Sequence, residues 1–227
     1  MAESDKIVPL LVVKGVRKEY SRGFLMPEVT FSLEADFAFE EPAIVGVMGA
    51  NGAGKTTLFE MITGTAPPNA GRIYCRGQNI QDVKYRERDR LAIHYHHSYQ
   101  VRRIKYTKPG FLLQPAASNY PFVHLFDEPQ FNPQDGYIKF MVNFFKKLRS
   151  EGRLVFISLH PTEAYQIDIL KEICEAYIFV HPGYTRRYDT WEEFVAEPHI
   201  RQYLSNALTG YEVPQRLLNP DVRTPNA

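Results

Sequence analysis

Gly49-Ala50-Asn51-Gly52-Ala53-Gly54-Lys55-Thr56 decides how the rest of this chain is read. The stretch matches the pattern G-x-x-x-x-G-K-[ST] at every position. Its flanks agree with it. Ala43 to Met48 is a nearly continuous apolar run, as expected of a strand buried on both faces. Thr56 to Thr63 reads as a helix, with Gly64 placed to stop it. Strand, glycine-rich turn and helix make a cradle for phosphate. The glycines let the backbone wrap so that its N–H groups point inward. The following helix offers its positive end. Lys55 adds a full charge for the β- and γ-phosphates, and the Thr56 hydroxyl can ligate Mg²⁺.

Working outward, Val123-His124-Leu125-Phe126-Asp127-Glu128-Pro129 is a mostly apolar strand ending in two acids. A carboxylate at the end of a neighbouring strand lies beside the cradle, so Asp127 is expected to hold Mg²⁺, usually through water. Glu128 then points elsewhere and is free to orient the attacking water or take its proton. His160 closes the next strand, in Ile157-Ser158-Leu159-His160. From the same sheet edge a neutral imidazole can hydrogen-bond a γ-phosphate.

The remaining chain alternates strands with helices, which argues for a mainly parallel α/β sheet. Ile7 to Val13 reads as a first strand, and Val29 to Phe39 partly alternates in the manner of antiparallel strands with one wet face. Gly71 to Arg76 suggests a short strand and Asp82 to Arg90 a charged helix. Leu91 to Tyr95 is strand-like, but the stretch on to Tyr120 shows no clean period. Gln134 to Ser150 carries Ile138, Met141, Val142, Phe145 and Leu148 along one helical face. Leu154 to Ser158 is a strand, Thr162 to Ala176 a helix, and Tyr177 to His181 a strand. Thr190 with Glu193 forms a capping box that opens a last helical region, in which Trp191 is expected to pack. Beyond Leu208 the prolines Pro214, Pro220 and Pro225 suggest a loose tail.

Bulk properties narrow the function classes. With 227 residues and 44% hydrophobic composition, the chain suits one large domain with a proper core. A net charge of +1 gives no global field towards nucleic acid or an anionic membrane. The two cysteines, Cys75 and Cys174, lie far apart without metal spacing, so a reduced compartment is the simpler reading. The polar start, Met1 to Lys6, lacks the pattern of a secretion signal, and no run approaches the roughly 20 apolar residues of a membrane span. A cytoplasmic protein is expected, and any membrane role must come through a partner. The cluster His94, His96 and His97 puts His94 and His96 on one face of a strand, but without a third and fourth ligand nearby a packed segment is favoured over a metal site. The basic residues between Arg86 and Lys108 are diluted by Asp82, Glu87 and Asp89 and read as a solvated face.

Gly49 to Leu58, with the run GANGAGKTTL, resembles the Walker A motif of ABC (ATP-binding cassette) ATPases. Phe126 to Pro129, FDEP, is similar to their Walker B and catalytic glutamate, and Ser158 to Ala164, SLHPTEA, to their switch-histidine loop. Lys18-Glu19-Tyr20 is similar to the stretch that holds the family's adenine-stacking aromatic, and Gly183 to Phe194 to its C-terminal strand and helix. The resemblance spans most of Ile7 to Phe194. It implies a P-loop NTPase fold: a mainly parallel sheet flanked by helices, with an N-terminal antiparallel β subdomain and a reduced helical subdomain. The domain would run over 7–208, with a truncated helical lobe at about 100–121 and a flexible tail at 209–227.

The implied site follows from the same motifs. ATP would be held by Tyr20, Gly49, Ala50, Asn51, Gly52, Ala53, Gly54, Lys55, Thr56 and Thr57. Mg²⁺ would be held by Thr56, Asp127 and Gln100, where Gln100 is the glutamine-loop candidate and Gln114 the alternative. Glu128, His160 and Lys55 would serve hydrolysis. The implied role is the ATP-binding, ATP-hydrolysing subunit of a transporter on the cytoplasmic face of a membrane, working as a dimer with transmembrane subunits. A soluble ATPase acting on nucleic acid or as a regulatory switch, and an ATP-binding scaffold without catalysis, are the other readings.

The chain also departs from the family. No run of the LSGGQ type occurs, and residues 101–126 leave too little chain for a full helical lobe between Gln100 and Asp127. Ser98-Tyr99-Gln100-Val101-Arg102-Arg103 lacks both signature glycines, and Gln130 to Pro133 is shorter than the family's D-loop. Activity is therefore expected to be weak or to depend on a partner that carries its own signature.

Overall fold

The computed structural model describes residues 8–23, 28–95, 121–129, 131 and 137–207. These residues form strands β1 (Leu11–Arg22), β2 (Glu28–Phe39), β3 (Ile44–Met48), β4 (Ala70–Cys75), β5 (Gln78–Asn79), β6 (Ala92–Tyr95), β7 (Val123–Asp127), β8 (Leu154–Leu159), β9 (Ala176–Val180) and β10 (Gly183–Tyr188). The helices are α1 (Lys55–Thr63), α2 (Tyr85–Arg88), α3 (Tyr137–Ser150), α4 (Ala164–Ile173), α5 (Trp191–Ala196) and α6 (Pro198–Ala207).

The strands join in one sheet in the order β5-β4-β1-β2-β10-β9-β3-β8-β7-β6. At one end β1 pairs antiparallel with β2 and with β4. At the other, β9, β3, β8, β7 and β6 run parallel. Each of β3, β7, β8 and β9 is buried along its whole length, which is why its sequence is mostly apolar rather than alternating, His124, Asp127 and Ser158 being the buried polar exceptions. Alternate residues serve two cores. Val45, Val47, Leu154 and Phe156 face a cluster with Leu58, Phe59 and Ile62 of α1. Ile44, Met48, Val155 and Ile157 face another with α3, α4, α5 and α6. Fully buried side chains of this kind contribute roughly 1.5–3 kcal/mol each. They fix the sheet edge on which the polar residues stand.

The helix face read for α3 is the one that packs: Met141, Phe145 and Leu148 are buried. Gly64 ends α1 in a left-handed conformation, φ 74°, with its N–H on the Met61 carbonyl. Trp191 is buried against Tyr177 and Phe194. The N-cap of α5 is half of the expected box. Thr190 Oγ1 accepts from the Glu193 amide at 3.1 Å, but the Glu193 carboxylate accepts from Asp189 N, one residue earlier than the box requires. Cys75 and Cys174 are free thiols.

Several expectations shift. β1 begins later than Ile7 and runs well beyond Val13, because its second half exposes Arg17 and Tyr20 to solvent and so breaks the apolar signal. Of Asp82 to Arg90 only a single turn is helical. Arg88 pins this turn, donating to the carbonyls of Val83, Gly64 and Gln81, so it is not part of a solvated basic face. α4 stops at Ile173, since Cys174 is extended and Ala176 already belongs to β9. The shortened helical lobe at 100–121 lies outside the described residues apart from Pro121, as do the tail at 209–227, Gln100, Gln114, His96 and His97. Among the described residues no helix is long and apolar enough to cross a membrane.

Candidate phosphate-binding site

The glycine-rich stretch sits between β3 and α1, as its sequence predicts. Two glycines are demanded by the geometry. A Cβ on Gly49 would lie 2.4 Å from the Val180 carbonyl oxygen, an impossible contact. Gly54 has φ 112°, and a Cβ there would meet the Phe31 ring at 2.8 Å. Gly54 is also the N-cap of α1, and no side chain caps that end. The first N–H groups of α1 therefore have no side-chain acceptor and, together with the helix dipole, suit an anion. Lys55 is 6% exposed, and its ammonium donates to the carbonyls of Gly49 and Ala50, at 2.8 and 3.1 Å. Burial lowers its pKa, and the charges of Glu128 and Asp127 oppose that shift.

Asp127 reaches the same place from β7. β7 is not the strand next to β3, as the sequence reading had it: β8 lies between them, and Asp127 pairs in register with Ser158. The carboxylate still closes on the cradle, because Thr56 Oγ1 donates to Asp127 Oδ2 at 2.8 Å. His94 Nε2, on β6, stands 3.3 Å from the same oxygen. Burial would raise the Asp127 pKa, but hydrogen bonds from His94 and Thr56, the His94 charge and Ser158 outweigh it and hold the carboxyl below its ordinary value. Thr56 hydroxyl and Asp127 carboxylate are hard oxygen donors, the class that Mg²⁺ prefers. Glu128 is the next residue, exposed, with φ 49° and its N–H on the Ser158 carbonyl at 3.0 Å. A left-handed non-glycine residue at a strand end costs of order 1–3 kcal/mol. Here it turns the second acid away from the first.

His160 follows β8. Its Nδ1 is 3.1 Å from the hydroxyl of Tyr203 on α6, and that hydroxyl donates to the Gly49 carbonyl, also at 3.1 Å. Ala50, His160, His199, Gln202, Tyr203 and Asn206 line a pocket of about 450 Å³ beside the loop. Tyr20 stands on the far side of the cradle. Its ring tilts on Phe31 at 5.6 Å, the same Phe31 that limits Gly54. At 41% exposure the ring keeps a face open to solvent.

The structure thus gathers Gly49–Thr57, Asp127, Glu128 and His160, with Tyr20 at the margin. The sequence reading missed two members. His94 was weighed as part of a metal cluster, yet it supports Asp127, and among the described residues no group of three or more metal-ligating side chains occurs. It arrives there because β6 lies beside β7 with His94 opposite Leu125. Tyr203 had a weak signal: Ile200, Tyr203 and Leu204 share one helical face.

A family model described as ABC transporter matches residues 33–109, the third of the chain that carries the cradle. Over 74 residues the chain is 40% identical to the molybdate/tungstate import ATP-binding protein WtpC of Thermococcus kodakarensis, which is 33% of this chain and 20% of that protein. Over 85 residues it is 34% identical to the Nod factor export ATP-binding protein I of Ralstonia nicotianae, 37% of this chain and 25% of that one. It is 42% identical over 69 residues to the energy-dependent translational throttle protein EttA of Escherichia coli K12, 30% of this chain and 11% of that protein. The chain thus spans at most a quarter of the length of these relatives. Whole-chain likeness appears in three dimensions. A structure described as the ATP-binding subunit of an ABC transporter superposes with TM-score 0.62 at 16% identity, over 87% of this chain and 99% of that one. The post-hydrolysis dimer of the ATP-binding cassette MJ0796, bound to ADP and Pi, gives 0.59 at 16% identity, over 79% and 98%. The fold is that of ABC cassettes, and the likeness in sequence covers residues 33–109, which include the Walker A run.

Proposed function

We propose that this chain is the ATP-binding and ATP-hydrolysing subunit of an ABC machine, working with a membrane partner. One observation carries this: the Thr56 hydroxyl and the Asp127 carboxylate, remote in sequence, meet at 2.8 Å at the mouth of the loop that buries Lys55. In this role the loop amides and Lys55 bind the β- and γ-phosphates, and Tyr20 and Thr57 flank the nucleotide. Thr56 and Asp127 would hold Mg²⁺, with Gln100 as the sequence's candidate for a third ligand, and the ion would supply charge neutralisation to the phosphates. Glu128 accepts the proton of the attacking water, and His160 donates to the γ-phosphate.

Relatives named for import, export and translation each match over only 69 to 85 residues, so the likeness singles out no cargo. The membrane reading is preferred over the nucleic-acid one because Arg88, central to the basic stretch, is spent on three internal carbonyls. The missing signature points to a heterodimer whose partner supplies γ-phosphate donors, since loss of one such donor costs about 10²–10³ in rate.

Calorimetry tests the site. The parent takes up MgATP with measurable heat, and Lys55→Ala does not. Glu128→Gln binds as the parent does but hydrolyses about 10²–10⁴-fold more slowly. Parent-like hydrolysis by both variants would overturn the assignment. Recovery of the chain with a multi-span protein from membranes tests the partner, and salt-sensitive RNA or DNA binding would displace that reading.

A further inference from the structure

We propose that Tyr203 is a positioning residue of the phosphate site, which sets the proton position on His160 and ties it to the loop carbonyl that Lys55 also uses. The inference rests on the nucleotide reading above and adds the C-terminal helix to it. Gly49 O is the hub. It accepts from Lys55 Nζ at 2.8 Å and from Tyr203 Oη at 3.1 Å. Tyr203 Oη is in turn 3.1 Å from His160 Nδ1.

Proton counting decides the rest. A carbonyl oxygen only accepts, so the single hydroxyl proton of Tyr203 is committed to Gly49 O. Burial, first among the causes, raises the Tyr203 pKa, so that proton stays on the oxygen. The contact with His160 then requires Nδ1–H to donate to Tyr203 Oη. In a neutral ring Nε2 is consequently bare and cannot donate to a phosphate oxygen. It becomes a donor in one of two ways: the ring takes a second proton at Nε2, or it releases its Nδ1 proton to solvent and takes one at Nε2 while Tyr203 turns its own proton from Gly49 O to the bare Nδ1. Phosphate acts on this same hub. When phosphate draws Lys55 Nζ away, Gly49 O keeps Tyr203 as its remaining donor, and the loop keeps its shape. Tyr203 thus links phosphate capture by Lys55 to the state of His160. Its ring is independently seated, edge-on to Phe179 at 5.1 Å, so loss of the hydroxyl alone leaves the helix packed.

Two measurements test this. The first needs no nucleotide: ¹⁵N spectra of the parent should show His160 as the Nδ1–H tautomer, and in Tyr203→Phe the ring should shift towards Nε2–H. An Nε2–H ring in the nucleotide-free parent overturns the proposal. The second is a double-mutant cycle read by calorimetry with the non-hydrolysable analogue MgAMP-PNP. By the same proton count Tyr203→Phe frees an Nε2–H ring to donate, so it should tighten MgAMP-PNP relative to MgADP by about 3–10-fold, the scale of one hydrogen bond. In a His160→Ala background that ratio should change less than twofold. An undiminished effect there, or the parent ratio in Tyr203→Phe, sinks the coupling. If the parent fails to bind MgAMP-PNP at all, the nucleotide reading fails, and the tautomer result still decides the role of Tyr203.

Discussion

Asp127→Asn is the most informative single change, because it keeps the shape of the side chain and removes only its charge. The carboxylate oxygen that meets Thr56 Oγ1 at 2.8 Å also meets His94 Nε2 at 3.3 Å. An ion taken up by the hydroxyl has this charge as its neighbour, directly or through one water. Loss of such a partner costs about 10–100-fold in metal affinity, or about 1.4–2.8 kcal/mol. Free ATP responds with the opposite sign. Without metal, Asp127 and Glu128 repel the triphosphate, so removing one of the two charges does not weaken that weak binding. Calorimetric titration with ATP in excess Mg²⁺ and again in EDTA separates the cases. The expected result is that affinity falls 10–100-fold in Mg²⁺ and is unchanged or slightly raised in EDTA. An equal loss in both buffers would mean a damaged loop, and an unaltered Mg²⁺ effect would mean that Asp127 does not serve the metal.

Two further outcomes are expected. Tyr20→Ala should weaken MgATP and MgADP alike by about tenfold, the scale of one lost base-stacking face, and equal affinity would remove Tyr20 from the site. His124 sits in β7 with no exposure, bonded to the Tyr95 hydroxyl at 3.1 Å, and burial followed by Arg153 pulls its pKa down to about 3. Its folded value lies below the unfolded one of about 6.5, so acid protonates the unfolded chain first. The stability held by neutral His124 is therefore complete above about pH 6.5 and declines below it. Urea melts at pH 7.0 and 5.5 should differ by about 1 kcal/mol more in the parent than in His124→Gln, and equal differences would refute the neutral buried ring.

The centre of the fold is legible because two signals coincide there. A strand buried on both faces must be apolar throughout, and a phosphate cradle must contain glycine where a Cβ cannot fit, so β3 and the following loop announce each other. The same holds for β7 with Asp127 and for β8 with His160. Legibility fails where a strand has one wet face, as in β1 past Val13, whose charged residues serve solvent rather than pattern. It fails too for strand order, since no local feature of β7 says that β8 stands between it and β3. Tyr203 shows a further limit. It lies 154 residues beyond Gly49 and reaches it only because β9, β10 and α5 return the chain across the sheet edge. Helical periodicity could place Tyr203 on the inner face of α6, but not name what that face would meet.

Charge balance links the site to its missing parts. The described cradle holds one buried cation, Lys55, against two carboxylates, Asp127 and Glu128. A bare triphosphate would meet net repulsion there beyond the reach of the loop amides. A divalent ion held by Thr56 and Asp127 would offset that repulsion and so strengthen nucleotide binding. The balance also shows where help is still needed. In the proposed role Lys55 and the amides of α1 would meet phosphate from the loop side, and His160 from the end of β8. A γ-phosphate gathering charge during hydrolysis has a further side, and the chain has no glycine-rich signature to offer another subunit there. Two copies of this chain would leave that side unmatched in both sites, whereas a signature-bearing partner would complete this one. Hydrolysis by the isolated chain at the rate of a complete machine would contradict this reasoning, and stimulation by a signature-bearing partner, lost in Lys55→Ala of this chain, would support it.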